Sequence, residues 1–295
     1  MINIHFIVNP IAGNCKFPLT KSFLEPYFVK KVHNLTVKHS AFKKHATVLT
    51  QDSISENADI IVACGGDGTI NEVASCLVGT SIPLGVIPMG SGNGLASNLH
   101  IPKNIRKALA IIKNKQTVMI DVGQMNDRYF FSNMGIGFDA TVIKNYESSQ
   151  KRTIYGYVQA CLTSFRDMGK NRKLEVRVNN MNQLVNPFII LISNSNQLGY
   201  NLSLTPKASL QDGLLDVLIV PKISQLKMLW LGILILFRKV FWLREAKSFQ
   251  TSQLQLSKSN GDDFESQIDG ELYEIENRKL NISILEKSLE VLVPE

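Results

Sequence analysis

DIIVACGGDGTINEVASCLVGTSIPLGVIPMGSGNGLASNL, residues 59–99, presents one local pattern twice in succession. Asp59 to Cys64 is a short apolar run with β-branched Ile60, Ile61 and Val62, the signature of a strand buried on both faces. Gly65, Gly66 and Gly68 follow at once. Glycines there are expected to take positive φ and, lacking a Cβ, to let an anionic group approach the main-chain N–H groups. Ile70 to Leu77 then has helical spacing, with Asn71 and Glu72 in its first turn. The second copy reads strand Leu84 to Ile87, turn Gly90-Ser91-Gly92-Asn93-Gly94, helix from Leu95. Two such units in tandem describe a phosphate site built from neighbouring loops. No G-x-x-x-x-G-K-[ST] occurs, so a P-loop enzyme is disfavoured.

The chain has 295 residues, enough for two domains with separate cores. Hydrophobic residues make up 44%, which argues against a disordered chain. A net charge of +7 and a pI near 9.1 point to an anionic partner: nucleotide, membrane surface or nucleic acid. Nucleic acid ranks last, because no zinc-finger spacing, helix-turn-helix signature or RNA-binding aromatic pair is present. Cys15, Cys64, Cys76 and Cys161 show no C-x-x-C spacing and read as reduced thiols of a cytosolic protein. MINIHFIVNP at the start reads as a strand rather than a secretion signal.

Outward from the glycine turns, Ile4 to Val8 is a strand broken by Asn9-Pro10-Ile11-Ala12-Gly13. A helix is expected over Thr20 to Lys30 despite Pro26, a strand over Leu35 to Lys38, and a helical segment opening at Ser40 to Ala46. Ile105 to Lys113 is an amphipathic helix, and Thr117 to Val122 a strand. This alternation predicts a three-layer α/β domain over residues 1–122 with a mostly parallel sheet, its ligands at the carboxyl ends of the strands. Beyond Gly123 the rhythm changes to short strands: Tyr129 to Asn133, Leu174 to Val178, Pro187 to Ser193, Leu214 to Val220, Gln253 to Ser257, Glu265 to Ile268, Leu272 to Ile275, Leu280 to Leu285 and Leu289 to Val293. Asp269-Gly270 is a two-residue hairpin signal. Residues 123–295 are therefore expected to form a mainly β, sandwich-like domain, with the last strand free to return to the first domain. Two helical stretches interrupt it, Lys151 to Met168 and Ser224 to Arg244. The second contains MLWLGILILF, ten apolar residues, too short to span a bilayer at about twenty residues. It reads either as a buried core helix or as an apolar surface, flanked by Arg238, Lys239, Arg244 and Lys247, that rests on anionic lipid.

GGDGTINEV at Gly65 to Val73, followed by PMGSGNGLA at Pro88 to Ala96, resembles the lipid kinases of the diacylglycerol kinase and sphingosine kinase superfamily, including the bacterial diacylglycerol kinase-like enzymes. The resemblance implies an active site in a cleft between the two domains. It implies nucleotide contacts from Asn9, Pro10, Gly13, Ser40, Gly65, Gly66, Asp67, Gly68, Thr69, Asn71, Glu72, Ser91, Gly92 and Asn93. Ser40 stands where the family's T-x-x-x-x-H-A signature has threonine, and keeps a hydroxyl. Phosphoryl transfer needs charge neutralisation, a metal and a proton acceptor. By resemblance Asp67 would act in catalysis beside Mg²⁺ or a metal-bound water. Asp212, with the carbonyls of Ser209 and Leu214, would hold a Mg²⁺, and Asp121 would join the metal network. Glu271 of Asp269-Gly270-Glu271 would be the general base, its pKa raised by a closed cleft. Asp139 would bind the lipid head group. One departure is visible: Gly94 follows Asn93 where the bacterial enzymes usually have aspartate, and GSGNGLA stands closer to the GSGNALA of sphingosine kinases.

The implied function is transfer of the γ-phosphate of ATP to a lipid hydroxyl with Mg²⁺, diacylglycerol giving phosphatidic acid being the leading acceptor and a sphingoid base the alternative. Further alternatives are a soluble kinase of NAD-kinase type, which shares GGDGT, and a nucleotide-binding lipid sensor without turnover. The implied location is the cytoplasm, peripheral on the inner face of the membrane, with no transmembrane segment and no nucleic-acid partner. A homodimer is left open.

Overall fold

A computed structural model describes residues 1–13, 19–148, 156, 159–160, 163–164, 176–178, 183–185, 187–197, 203–258, 264–275 and 279–295. The chain divides into two compact units, Met1–Val122 with Glu286–Glu295, and Gly123–Leu285.

Unit 1 alternates strand and helix: β1 (Ile2–Val8), α1 (Lys21–Leu24), β2 (His33–His39), α2 (His45–Ser55), β3 (Ile60–Gly65), α3 (Asp67–Leu77), β4 (Leu84–Pro88), α4 (Gly94–Asn98), α5 (Ile105–Asn114) and the start of β5 (Thr117–Met125). β2, β1, β3 and β4 pair in that order, all parallel. All six residues of β3 and all five of β4 are buried, as strands covered on both faces require. The expected helix over Thr20 to Lys30 shrinks to α1 and a 3-10 turn at Glu25–Tyr27, because Pro26 has no N–H to continue the ladder. The segment from Ser40 does not turn helical until His45, where Lys44 takes φ 69 at the N-cap.

Unit 2 is built from antiparallel strands: β6 (Arg128–Phe130), β7 (Asn133–Gly137), α6 (Phe138–Ser148), β8 (Val176–Val178), β9 (Gln183–Val185), β10 (Pro187–Ser193), β11 (Leu215–Pro221), α7 (Gln225–Leu236), β12 (Lys247–Thr251), β13 (Gln253–Lys258), β14 (Phe264–Ile268), β15 (Glu271–Ile275) and the first half of β16 (Lys279–Leu292). One sheet runs β12-β11-β10-β7-β14-β15, and a second path runs β16-β13-β8-β9. Ile190, Ile192, Val217 and Ile219 of the first sheet pack with Leu254, Leu256, Leu280 and Ile282 of the second in one apolar core, the arrangement of a β-sandwich. The alternate residues Ile189, Leu191, Leu218 and Val220 face the other way and are covered by Leu231 and Leu234 of α7. Cys15, Cys161 and most of Lys151 to Met168 lie outside the described residues.

The two strands expected at Leu280 to Leu285 and Leu289 to Val293 are one, β16. From Glu286 it belongs to unit 1, where Val291 lies parallel beside Leu84 of β4. Lys287 sits inside this strand at φ 46, a conformation that disfavours a side chain by ~1–3 kcal/mol. Its N–H donates to Asp121 Oδ1 at 2.7 Å, and Asp121 is fully buried on β5. Asp121 thus fixes the returning strand. An Asp121→Ala variant should lose about 1–2 kcal/mol of unfolding free energy in urea, the part-buried Lys287 N–H losing its charged acceptor. The loss should be equal with Mg²⁺ and with chelator; a loss confined to Mg²⁺ would contradict this assignment.

Candidate active site

The carboxyl ends of β1, β3 and β4 converge in unit 1. Asn9 N–H donates to the Cys64 carbonyl at 2.9 Å, and Met89 N–H to that of Gly65 at 2.8 Å. The first glycine turn is tighter than the spacing suggests: Gly66 is the N-cap at φ −91, so α3 opens at Asp67 instead of Ile70. Asn71 and Glu72 consequently fall in its second turn. Gly65, Gly66 and Gly68 do not use positive φ. At Gly65 and Gly66 the lack of a side chain serves close approach instead. A Cβ on Gly65 would lie 2.5 Å from the Thr69 side chain, one on Gly90 2.6 Å from Gly66 Cα, and one on Gly92 2.8 Å from Asp67 Oδ2. Gly13 does need its φ of +65, and a Cβ there would meet the Met89 carbonyl oxygen at 2.1 Å.

This closeness lets one side chain join the two loops. Asp67 Oδ2 accepts the Asn93 N–H and Oδ1 the Gly94 N–H, both at 2.7 Å. Asn93 is buried at φ 58, and its amide closes the second loop on itself: Oδ1 accepts the Gly90 N–H at 3.0 Å, and Nδ2 donates to the Gly90 carbonyl at 2.6 Å. Asn9 Nδ2 donates to Thr69 Oγ1 at 3.1 Å, tying the Asn9-Pro10 turn to the first turn of α3. Burial pushes the Asp67 carboxyl above the ordinary aspartate range, while the Asn93 and Gly94 amides, its own N–H and the Lys103 charge draw it back. The N-cap of α3 is Gly66, which offers no side chain to the N–H groups of the first turn, and N–H groups at a helix start suit phosphate. Lys103 Nζ, which the sequence reading passed over, donates to the Ser91 carbonyl at 2.9 Å and brings a cation to the loop.

Other expected contacts have further employment. Both Glu72 oxygens are engaged with the start of α2, accepting the Lys44 N–H at 2.9 Å and the Ala46 N–H at 3.1 Å. Asn71 Oδ1 accepts the Ser75 hydroxyl, and Ser40 N–H donates to the Val8 carbonyl at the end of β1.

In unit 2 the Asp269-Gly270 hairpin forms as expected, with φ 49 and 82, joining β14 to β15. Asp269 does more than turn the chain. Its carboxylate accepts the N–H groups of Phe131, Ser132 and Asn133 at 2.9, 2.8 and 3.1 Å. Glu271, half-buried, is the first residue of β15 beyond this anchored turn. Asp212 forms an Asx turn with the Leu214 N–H at 3.1 Å, and Ser209 Oγ accepts the Gln211 N–H. Gln250 Nε2 reaches both Asp212 Oδ2 at 3.4 Å and Asp216 Oδ2 at 3.1 Å. Burial first, and then the neighbouring Asp212 charge, push the Asp216 carboxyl up. No local signal marked Asp216 or Gln250, because only the pairing of β11 with β12 brings them together. Asp139 is the second residue of α6, following Gly137 at φ +94; its side chain lies outside the description.

An Asp67→Asn variant puts an NH₂ group against one of two backbone donors, so affinity for a fluorescent ATP analogue should fall at least tenfold. Because the folded-state pKa of Asp67 is raised, the stability it contributes is full below an unfolded pKa of ~3.9 and is lost as pH rises through the folded value. Urea titrations should show wild-type stability falling as pH rises above about 3.9, and a flatter profile in the variant. Unchanged affinity would contradict the locking role.

Two family models match the chain: the diacylglycerol kinase catalytic domain over residues 3–125, and the YegS C-terminal NAD kinase beta sandwich-like domain over residues 132–292, more than half of the chain. A diacylglycerol kinase of Staphylococcus haemolyticus is 30% identical over 73% of this chain and 66% of its own length. A Klebsiella pneumoniae protein named "Probable lipid kinase YegS-like" is 32% identical over 59% of this chain and 60% of its own length. The aligned stretches thus span just under two thirds of these relatives. A crystal structure of a diacylglycerol kinase from Bacillus anthracis strain Sterne has the same fold, with a TM-score of 0.70, 19% identity, and coverage of 99% of this chain and 97% of that one. With both models matched in order along one chain, the protein belongs to the family of bacterial diacylglycerol kinases and YegS-like lipid kinases.

Proposed function

We propose that this protein is a lipid kinase that transfers the γ-phosphoryl group of ATP to a lipid hydroxyl, with diacylglycerol as acceptor and phosphatidic acid as product. The observation that carries the reading is the Asp67 tie, which holds two glycine loops together at the carboxyl ends of parallel strands. The turns Gly65 to Thr69 and Gly90 to Asn93 would cradle the phosphates with main-chain N–H groups other than those of Gly90 and Asn93, which Asn93 Oδ1 and Asp67 already hold, since such donors need no reorganisation when charge builds up. Relatives named diacylglycerol kinase and lipid kinase support the acceptor class.

Mg²⁺ suits the donor set in unit 2. Asp212 and Asp216 share one Gln250 amide, and the charge of Asp212 raises Asp216, a conflict that a divalent cation would relieve. Asp212 and Asp216, with main-chain oxygens of Ser209 and Leu214, would hold it. An ion held there would supply positive charge, which phosphoryl transfer needs. Glu271 is proposed to accept the proton of the attacking hydroxyl, its strand fixed by the three N–H groups that grip Asp269. We further propose that the protein works at the inner membrane surface; among the described residues no helix is long and apolar enough to cross a membrane.

Incubation with ATP labelled at the γ-phosphate and a total lipid extract should label a product that co-migrates with phosphatidic acid. Label in a sphingoid phosphate would move the acceptor to the alternative; label only in a water-soluble nucleotide would refute lipid phosphorylation. A Glu271→Gln variant should lose roughly 10²–10⁴-fold in kcat while its affinity for ATP stays unchanged.

A further inference from the structure

α7 carries two apolar stripes. One, with Leu231 and Leu234, is buried against the outer face of the six-stranded sheet. The other is exposed and regular: Leu226, Trp230, Ile233 and Phe237 recur at intervals of four, three and four, the spacing of a single helix face. The 3-10 turn Val240–Trp242 extends it with Phe241 and Trp242. Phe237 is 70% exposed and Trp242 55%. Among the described residues this is where large exposed apolar side chains gather most densely, and nothing in the fold requires them to be apolar.

The flanks decide what covers this face. Residues 222–247 carry six Lys or Arg against one Glu, a local net charge of 6 − 1 = +5. All six basic side chains are exposed, and the Glu, Glu245, is ion-paired with Lys227. Lys239 Nζ lies 4.2 Å from the centre of the Trp242 ring, the pairing of cation and amphipathic ring found at lipid headgroup level. A second copy of this chain would bring a like charge against the first. An anionic lipid surface takes up both the charge and the apolar stripe.

We propose that the face formed by Leu226, Trp230, Ile233, Phe237, Phe241 and Trp242 docks the protein on anionic membranes. The inference rests on the lipid-kinase reading only for its purpose; the docking stands or falls separately. Trp230 and Trp242 are the chain's two tryptophans, so intrinsic fluorescence reports on this face directly. With vesicles of phosphatidylcholine and phosphatidylglycerol, emission should shift to the blue and be quenched by brominated acyl chains. Pure phosphatidylcholine vesicles, or 0.5 M salt added to the anionic ones, should cut partitioning severalfold. A Phe237→Ser/Phe241→Ser variant, altered only at exposed sites, should keep the wild-type circular dichroism spectrum and partition at least tenfold more weakly. It should also keep turnover on a water-soluble short-chain diacylglycerol while losing turnover on vesicles. Absence of a blue shift with anionic vesicles, equal partitioning by the variant, or a blue shift that follows protein concentration without lipid would each overturn the proposal. Vesicle binding by a wild-type protein that phosphorylates no acceptor would refute the kinase reading and uphold the docking face.

Discussion

The candidate site in unit 1 depends on one carboxylate that reaches across from the first turn of a helix to the backbone of a neighbouring loop. Asp67 accepts two adjacent main-chain N–H groups at 2.7 Å, one on each oxygen. Everything near it is arranged to let the two backbones come that close. Gly90 and Gly92 have no room for a Cβ, one on Gly66 would crowd Gly90 Cα at 3.3 Å, and Asn93 adopts φ 58 with both ends of its amide spent on Gly90. Burial alone would favour the neutral acid; paired amides are what make a carboxylate tenable there.

A second carboxylate plays the same part in the β-rich unit. Asp269 collects three consecutive N–H groups, from Phe131 to Asn133, and so fixes the turn from which Glu271 departs. Asp121 does it again for β16, where its oxygen satisfies the N–H of Lys287 at an otherwise unfavourable φ. In each case an acidic residue that resemblance assigns to catalysis or to the metal network, or that stands two positions from one so assigned, is engaged with main chain. Such residues set the geometry of the groups around them, and their substitution is expected to disturb structure and chemistry together.

Much of this was legible in residues 59–99, because a buried strand, a glycine turn and a helix leave local marks: β-branched runs, missing side chains, a 3.6-residue period. The parallel sheet followed from alternation, and the hairpin from Asp269-Gly270. What escaped was set by partners far along the chain. None of the three glycines read as positive-φ positions takes one, and Gly65 and Gly66 are instead close-approach positions, visible only once Thr69 and Gly90 lie beside them. Glu72 read as a nucleotide contact, yet both its oxygens hold the start of α2, 26 and 28 residues away. Asp216 and Gln250 had no local signature, and one long strand read as two where Lys287 bends it. For MLWLGILILF neither open reading suffices alone: Leu231 and Leu234 are core, while Trp230, Ile233 and Phe237 face outward.

The central claim is that the two loops tied by Asp67 form a single receptor for the phosphates of a nucleotide. Amide hydrogen exchange with and without a non-hydrolysable ATP analogue and Mg²⁺ tests it residue by residue. The account predicts that Gly65 to Thr69 and Gly90 to Gly94 gain protection together, at the same nucleotide concentration. Protection confined to one loop, or found only elsewhere in the chain, would contradict it.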